Sequence, residues 1–485
     1  MKKITVIYDD RRKPSGEIRE ITGEKSFGRI IYRRRSLREH FSSCVCDAAE
    51  KERVDTDIRI LTSGDDFSLS DQDMKRAVIL AFSDCIVRDL PEFSLLLKKA
   101  CYCREDYRVM AGDRVAALIF SDAKSFLSAL DAEGDLRERA LNLEEIISDA
   151  FFCVAEKKEF LSFITGGFDA RYFNALSGDE YTVVKSSENK AKISAEYRFY
   201  YLLPENMRSW FVLPYEYREE GNKASYRMQR YHMTDLAIRY VHGAISLEEF
   251  KKILDILFVF LKDRREERVT WNEFYEKRRE LYIIKVEKRI EEFKKHPSFP
   301  GIENYLVSGT KYSGIDDILK KYEETYDSMI GKNKEELRKT VSHGDLCFSN
   351  ILYSPDAGLL RLIDPKGASN EKELFSDPLY DVAKLSHSIS GWYDFMNSAL
   401  FCIEVSGDMK LKLSIDGDVR AYRREFERKL KEERIDVRTV RLFECSLFLS
   451  MLPMHTDRPR KVLAFILNAI SILEELEVFT APIRA

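Results

Sequence analysis

The sequence has no marked excess of either charge and no long apolar run. Among its 485 residues, 79 lysines and arginines stand against 83 aspartates and glutamates, which leaves a formal net charge of −4. So small a charge provides no electrostatic basis for binding nucleic acid, and we expect no such partner. The longest apolar run, Ile256 to Leu261, is far too short to cross a bilayer, so no transmembrane segment is predicted. The pattern of a secretory signal is missing too, and we expect a cytoplasmic protein.

Cysteines with the spacing of a zinc site are also lacking. Two Cys-x-Cys pairs, Cys44 with Cys46 and Cys101 with Cys103, replace the usual Cys-x-x-Cys, and no His-x-x-x-His accompanies them. We therefore predict that all nine cysteines are reduced thiols. A metal site built from them is the less favoured interpretation.

Residues 1–140 are predicted to form an α/β domain, because short β-rich runs alternate with helical segments. The predicted strands are Ile4 to Tyr8, Arg29 to Tyr32, Ile58 to Thr62, Ala77 to Phe82 and Ala116 to Phe120. Several of them end on acidic residues, and the carboxyl ends of strands are where an open α/β sheet binds its ligands.

This layout faintly resembles that of a sugar-nucleotide nucleotidyltransferase. The glycine-rich phosphate loop of such enzymes is missing, however, and Asp9 to Lys13 follow the first strand instead. The resemblance therefore implies an activity that has been lost or changed. The basic run Arg33 to Arg35 is either a grip for a phosphate or, as such runs more often are, a solvated face.

The stretch from Val341 to Gly367 carries the clearest pattern in the chain. Two hydrophobic runs, Ile351 to Tyr353 and Leu359 to Ile363, flank a turn and predict a β-hairpin. Asn350 precedes the first strand and Asp364 follows the second. The hairpin is therefore expected to bring these two oxygen-bearing side chains to the same end.

Phosphoryl transfer needs a carboxylate that orients the attacking hydroxyl and oxygen ligands that hold Mg²⁺ against nucleotide phosphates. The loop His343-Gly344-Asp345, with Asn350 and Asp364 downstream, contains both. Its sequence motif, HGDxxxxN followed by ID, resembles that of the aminoglycoside phosphotransferase and choline kinase family of small-molecule kinases. Gly344 and the proline after Asp364 depart from the HRD and DFG motifs of protein kinases. The plain alternative is a hairpin whose polar residues only cap turns.

The resemblance implies an α+β, bilobal, protein-kinase-like phosphotransferase fold, preceded by the smaller α/β domain. Residues 141–245 would form the N-terminal lobe and residues 246–485 the helical C-terminal lobe. It also implies that Asp345 and His343 are the catalytic-loop residues, with His343 ordering the loop. Asn350 and Asp364 would bind Mg²⁺. Lys366, just after the metal aspartate, is placed to contact the transferred phosphate or an anionic substrate.

Upstream, Lys185 ends an apolar strand and Glu196 lies in a helix predicted for Lys190 to Leu203. The two resemble the kinase pair in which a lysine binds the α- and β-phosphates of ATP and a glutamate orients it. A surface lysine and an unrelated helical glutamate are the alternative. Gln229 and Tyr231 fall where a kinase hinge would meet the adenine.

Two further elements are expected before Lys185. Leu141 to Lys158 is interpreted as a connecting helix. Phe160 to Thr165, a turn at Gly166-Gly167 and Tyr172 to Leu176 are interpreted as a hairpin closing over the nucleotide.

Downstream, Tyr380 to Leu385 spell YDVAKL, and the resemblance implies that Asp381 braces the catalytic loop. Its alternative role is that of an ordinary first-turn helix acid. Trp392, Tyr393 and Phe395 surround Asp394 in the sequence; such a cluster is either a site for an amine or a sugar or, more often, core.

These interpretations predict an ATP- and Mg²⁺-dependent kinase that phosphorylates a hydroxyl of a small molecule, of the choline, ethanolamine or sugar type. A nucleotidyltransferase-like partner domain would suit bacterial surface-polysaccharide or lipid-headgroup synthesis, and hence an association with polysaccharide machinery. Two alternatives remain open: a catalytically inactive, kinase-like nucleotide-binding scaffold, and a bifunctional kinase and nucleotidyltransferase.

Overall fold

The computed structural model describes residues 3–64, 67–70, 73–166, 175–178, 181–330, 337–415 and 417–480. The chain divides into two units. The first comprises Met1–Phe168 with His242–Ala244, and the second comprises Asp169–Val241 with Ile245–Ala485. Within the described residues, no helix combines the length and the apolar character that crossing a membrane requires.

The first unit is built on a mixed, six-stranded sheet. The strands of the whole unit are β1 (Lys3–Asp9), β2 (Ile31–Tyr32), β3 (Arg35–Ser36), β4 (Asp55–Leu61), β5 (Ala77–Phe82), β6 (Cys85–Val87), β7 (Tyr107–Ala111), β8 (Arg114–Phe120), β9 (Glu144–Ile147) and β10 (Phe151–Cys153). Its helices are α1 (Gly16–Thr22), α2 (Leu37–Glu52), α3 (Leu90–Ala100), α4 (Ala123–Asp131), α5 (Leu136–Arg139) and α6 (Lys157–Gly166). The order across the sheet is β4-β1-β5-β8-β7-β9, and β1 runs parallel to both of its neighbours.

Helices cover both faces of this sheet, which is why its central strands are apolar at successive positions. Val6 of β1 belongs to the hydrophobic cluster that includes Phe41 of α2 and Phe93 of α3. Its neighbour Ile7 belongs to the opposite cluster, with Phe126 of α4. The predicted α/β character of residues 1–140 is confirmed.

Acidic side chains at the strand ends of this unit make internal contacts. The carboxylate of Asp10, just after β1, accepts hydrogen bonds from the Gly28 main-chain N–H at 2.7 Å and from Ser26 Oγ at 2.6 Å. Asp84, just after β5, forms a salt bridge with Arg137. The run Arg33–Arg35 spans the turn between β2 and β3.

Three predictions for the first unit are wrong. Leu141 to Lys158 is not a connecting helix, because β9 pairs with β7 and β10 pairs with β6 inside this segment. Phe160 to Thr165 is not a strand but lies in α6, where Phe160, Leu161 and Ile164 are buried at helical spacing. Gly167 to Asn174 lie outside the described residues, so the turn and most of the second predicted strand do too.

The third error concerns the cysteines. Cys85 and Cys153 form a disulfide although they are 68 residues apart in the chain. They are directly opposite each other in the antiparallel pair of β6 and β10. Such a cross-strand pairing leaves no mark on local sequence spacing, which is why it was not predicted.

The second unit begins with an antiparallel sheet and continues with helices. Its strands are β11 (Ala175–Gly178), β12 (Thr182–Ser187), β13 (Pro214–Glu220), β14 (Lys223–Gln229), β15 (Thr234–Asp235), β16 (Glu266–Arg268), β17 (Arg338–Val341), β18 (Ile351–Ser354), β19 (Leu359–Leu362), β20 (Phe375–Ser376), β21 (Phe401–Ser406) and β22 (Asp408–Leu413). Its helices are α7 (Lys190–Leu202), α8 (Glu205–Arg208), α9 (Leu236–Val241), α10 (Leu247–Asp263), α11 (Trp271–Arg279), α12 (Lys285–Lys294), α13 (Phe299–Gly309), α14 (Ile315–Ile330), α15 (Tyr380–Ile389), α16 (Tyr393–Asn397), α17 (Arg420–Glu432), α18 (Val437–Ser450) and α19 (Pro459–Thr480).

This unit has two lobes, a β-rich N-terminal lobe and a helical C-terminal lobe. The sheet β11-β12-β14-β13 and helix α7 form the N-terminal lobe, with Ile193 of α7 packed on Ala224 and Tyr226 of β14. Helices α9 to α19 form the C-terminal lobe around two large apolar clusters. Strand β15 pairs with β18 beside the β18–β19 hairpin, which follows the loop at residues 343–350.

Candidate active site

The predicted hairpin holds Asn350 and Asp364 at the same end, as expected. β18 pairs with β19 in antiparallel register, and the Ile363 main-chain N–H donates to the Asn350 carbonyl oxygen at 3.0 Å. Asp364 follows directly and adopts a φ of 54°, in the left-handed region that few non-glycine residues occupy. This conformation directs its carboxylate toward the N-terminal lobe, where the side chain meets Lys185.

Lys185, Glu196 and Asp364 form one charged cluster. Lys185 Nζ lies 2.7 Å from Glu196 Oε2 and 2.8 Å from Asp364 Oδ1. The side chains of Lys185 and Glu196 are each 3% exposed, whereas that of Asp364 is 42% exposed. Strand β12 presents the lysine and helix α7 presents the glutamate, so the predicted pairing of Lys185 with Glu196 is confirmed as a contact.

Burial affects the ionisation of this cluster. It works to lower the pKa of Lys185, but Asp364 and Glu196 outweigh it, so the pKa is raised and the ammonium persists. Burial raises the pKa of Glu196 despite the neighbouring lysine. A second and more exposed ammonium, that of Lys192, lies 3.6 Å from Glu196 Oε1.

Asp381 braces the loop at residues 342–344. One carboxylate oxygen accepts from Ser342 Oγ at 2.9 Å and from the Gly344 N–H at 2.9 Å, and the other accepts from the His343 N–H at 3.0 Å. Arg264 Nη1 lies 3.0 Å from the same carboxylate, and Asp381 is fully buried. The bracing role that the resemblance implied is thus visible as four contacts.

His343 is part of the scaffold of the loop. Its Nδ1 accepts from the Asp345 main-chain N–H at 3.2 Å, so its Nε2 is the atom that donates to the Ile363 carbonyl oxygen at 2.9 Å. The imidazole also stacks on Phe211, with ring centroids 5.7 Å apart. Burial lowers the pKa of His343, so the ring is neutral in this position. It joins the loop to the hairpin and is not placed to shuttle protons.

Asp345 carries contacts on both of its carboxylate oxygens. Asn350 Nδ2 donates to Oδ2 at 3.2 Å and to the Asp345 main-chain oxygen at 2.8 Å. Lys384 Nζ lies 2.8 Å from Oδ1. Sequence reasoning missed Lys384, although the residue stands within the YDVAKL motif. A signal for Lys384 was present in the motif, because Lys384 lies one helical turn after Tyr380 and therefore on the same face of α15.

The donor set fits Mg²⁺. This hard cation prefers oxygen ligands and is usually bound by one or two carboxylates together with phosphate oxygens. The amide nitrogen of Asn350 is the atom turned to Asp345, so its Oδ1 is the atom able to ligate a cation. Asp364 Oδ1 contacts Lys185, and its carboxylate is accessible. Asn350 and Asp364 would therefore hold the metal.

The other predicted ligand residues lie at the edges of this arrangement. Gln229 is the last residue of β14, pairs with Thr182 and has an exposed side chain. Tyr231 is half-buried, with the Arg361 guanidinium 5.9 Å from its ring centroid. Lys366 is exposed, and its main-chain N–H donates to the His343 carbonyl oxygen at 2.9 Å. Their contacts with a nucleotide stay predictions.

The aromatic cluster after α15 belongs largely to the core. Tyr393, Asp394 and Phe395 are 6%, 2% and 1% exposed, and Trp392 packs at the margin of an apolar cluster. This burial favours the packing interpretation over an open site for an amine or a sugar. Burial also raises the pKa of Asp394 to about 7.

Comparison with known proteins finds likeness in structure only. No protein-family model and no curated protein matches the chain. The structure of aminoglycoside phosphotransferase APH(4)-Ia is 13% identical, with 65% of this chain and 97% of that one aligned and a TM-score of 0.36. Aminoglycoside-3′-phosphotransferase of type VIII is 16% identical over 58% and 90% of the two chains, with a TM-score of 0.34. The streptomycin–ATP–APH(2″)-IIa ternary complex is 18% identical over 67% and 98%, with a TM-score of 0.33.

Proposed function

We propose that the chain is an ATP- and Mg²⁺-dependent kinase that transfers the γ-phosphate to a hydroxyl of a small molecule. The observation that carries the proposal is the contact of Lys185 with both Glu196 and Asp364. It joins the expected phosphate-binding lysine to the expected metal carboxylate across the two lobes. A hairpin that merely capped its own turns would not need a buried lysine from a distant strand.

Each residue has a definite role in this proposal. Lys185, oriented by Glu196, binds the nucleotide phosphates. The metal held by Asn350 and Asp364 would neutralise charge on those phosphates. Asp345 accepts the proton of the acceptor hydroxyl. The hydroxyl oxygen forms a bond to the γ-phosphorus, and the bond between the γ-phosphorus and the bridging β-phosphate oxygen breaks. His343 and Asp381 keep the loop in place, and Gln229 and Tyr231 border the adenine.

The acceptor and the pathway are finer proposals. The resemblance in the catalytic loop supports an acceptor of the choline, ethanolamine or sugar type. The α/β domain in the first unit supports a place in surface-polysaccharide or lipid-headgroup synthesis, in a cytoplasmic assembly with that machinery.

The kinase proposal is tested by ADP release from ATP and Mg²⁺ with choline, ethanolamine and simple sugars as acceptors. We expect Asp345→Asn to lower turnover by at least about 100-fold, since a positioned general base contributes about 10²–10⁴-fold. Asp408→Asn, an exposed aspartate in β22, is the matched control and should leave turnover unchanged. Equal turnover by Asp345→Asn and wild type would refute the role of Asp345. Nucleotide binding without any phosphorylated acceptor would favour the scaffold instead.

A further inference from the structure

Three lysines from three different segments contact the loop around Asp345 or the helix α15 beside it. Lys384 of α15 contacts Asp345 Oδ1 at 2.8 Å, and its side chain is only 12% exposed. Lys285 of α12 donates from Nζ to the Tyr380 hydroxyl oxygen at 2.9 Å and lies 5.4 Å from the centroid of that ring. Tyr380 and Lys384 are four residues apart in α15 and so share one face.

Lys366 lies against the loop that carries Asp345. Its main-chain N–H is bonded to the His343 carbonyl oxygen, and its aliphatic chain lies against Gly344. A Cβ on Gly344 would be 2.6 Å from Lys366 Cβ, so this glycine is what lets the lysine approach the loop. Burial alone would raise the pKa of the Tyr380 phenol, but Lys285, Lys384 and Lys366 outweigh it and lower that pKa. The three ammonium groups therefore act on the same small region.

The neighbouring carboxylates form salt bridges with cations outside this group of three lysines. Asp364 contacts Lys185, Asp377 contacts Arg278 at 2.6 Å, and Asp381 contacts Arg264 at 3.0 Å. Among the described residues, Asp345 is the carboxylate that forms a salt bridge with this lysine group. Three lysines with one carboxylate in salt bridge to the group leave a positive surplus, which attracts anions and repels cations.

We propose that the acceptor carries an anionic oxygen group, a carboxylate or a phosphate ester, beside the hydroxyl that is phosphorylated. Lys285, Lys366 and Lys384 bind that group while Asp345 takes the hydroxyl proton. The inference rests on the proposed kinase function and narrows it. Of the acceptor types named above, it favours an acidic or phosphorylated sugar or polyol over the cationic choline and ethanolamine.

The test is binding to the full chain loaded with AMP-PNP and Mg²⁺, which fills the γ-phosphate position. Isothermal titration compares inorganic phosphate and glycerate with neutral glycerol at matched ionic strength. We expect at least one anionic probe to bind about tenfold more tightly than glycerol, a difference of about 1.4 kcal/mol. Preference for phosphate assigns a phosphate ester, and preference for glycerate assigns a carboxylate.

Lys285→Met is the informative variant, because Lys285 does not touch Asp345. We expect it to lose most of the preference for the anion, about fivefold to tenfold. Lys288→Met, an exposed lysine on the same helix, is the control and should retain the preference. Should Lys285→Met not fold, Lys366→Met at an exposed position should show the same loss.

The outcomes separate the two proposals. Equal binding of the anions and glycerol, or an unchanged preference in the lysine variants, overturns the anionic acceptor and leaves the kinase standing. Failure of the wild-type chain to bind AMP-PNP with Mg²⁺ overturns the kinase itself, and the inference with it.

Discussion

Lys185 Nζ lies 2.8 Å from Asp364 Oδ1, although the two residues are 179 positions apart in the chain. The lysine belongs to the sheet of the N-terminal lobe and the aspartate follows the end of the β18–β19 hairpin. This contact ties the two lobes at the point where nucleotide phosphates and a metal are expected. The same contact makes the lysine important for stability as well as for the proposed phosphate binding.

Removing the lysine should therefore destabilise the second unit. Lys185→Met leaves the buried Glu196 carboxylate without its nearest cation, and breaking such a pair typically costs about 3–5 kcal/mol of unfolding free energy. Urea unfolding of the variant and wild type measures this loss. The double variant Lys185→Met/Glu196→Leu should recover most of it.

Lys192→Met supplies a matched control for that experiment. Lys192 lies 3.6 Å from the other oxygen of Glu196 but is 45% exposed, so its removal should change the unfolding free energy by less than about 1 kcal/mol. If Lys185→Met lowered the unfolding free energy as little as Lys192→Met does, the importance of the buried pair would be contradicted.

Asp381 is the second residue whose loss we expect to be severe. Asp381→Ala leaves the Arg264 guanidinium buried without its partner and deprives the His343 and Gly344 N–H groups of their acceptor. We expect a loss of about 3–5 kcal/mol in unfolding free energy, measured by urea denaturation. Asp408→Ala, at an exposed position, should change it by less than about 0.5 kcal/mol. Comparable stability of the two variants would show that the loop does not depend on Asp381.

Local signals predicted the parts of the site that lie close together in sequence. The hairpin between Ile351 and Leu362 could be predicted because its two hydrophobic runs and the turn between them lie within a few residues of one another. The pairing of Lys185 with Glu196 depended on the order of motifs along the chain, and the structure confirms the contact.

Contacts between distant segments were not predictable in the same way. Lys384 lies inside the motif that points to Asp381, yet only the packing of α15 on the loop at residues 343–350 brings it to Asp345. The prediction of a strand at residues 160–165 is wrong because the aromatic and β-branched residues of this segment suit both a strand and a helix, and only tertiary packing decides between them.

The disulfide in the first unit should be a major source of its stability. Joining Cys85 to Cys153 closes a loop of 68 residues, for which loop-closure entropy predicts a stabilisation of about 4 kcal/mol. Cys85→Ser/Cys153→Ser should lower the unfolding free energy of the first unit by that order. Limited proteolysis or denaturation measures it. Cys44→Ser/Cys46→Ser is the control pair, since both residues are free thiols, and it should have little effect. Equal stability of the two double variants would contradict the prediction.

Asp394 makes the stability of the second unit depend on pH, as does Asp235, whose pKa burial also raises to about 7. Burial raises the pKa of Asp394 to about 7 in the folded protein, whereas an unfolded aspartate titrates near about 3.9. Between these values the folded chain binds a proton that the unfolded chain has lost, so wild-type stability falls as pH rises. Asp394→Asn removes this titration, and its unfolding free energy should rise relative to wild type by about 1.4 kcal/mol per unit between about pH 5 and 7. Denaturant titrations at several pH values measure the difference in unfolding free energy between Asp394→Asn and wild type. Asp408→Asn is the control. A difference that does not change with pH would show that Asp394 is ionised throughout.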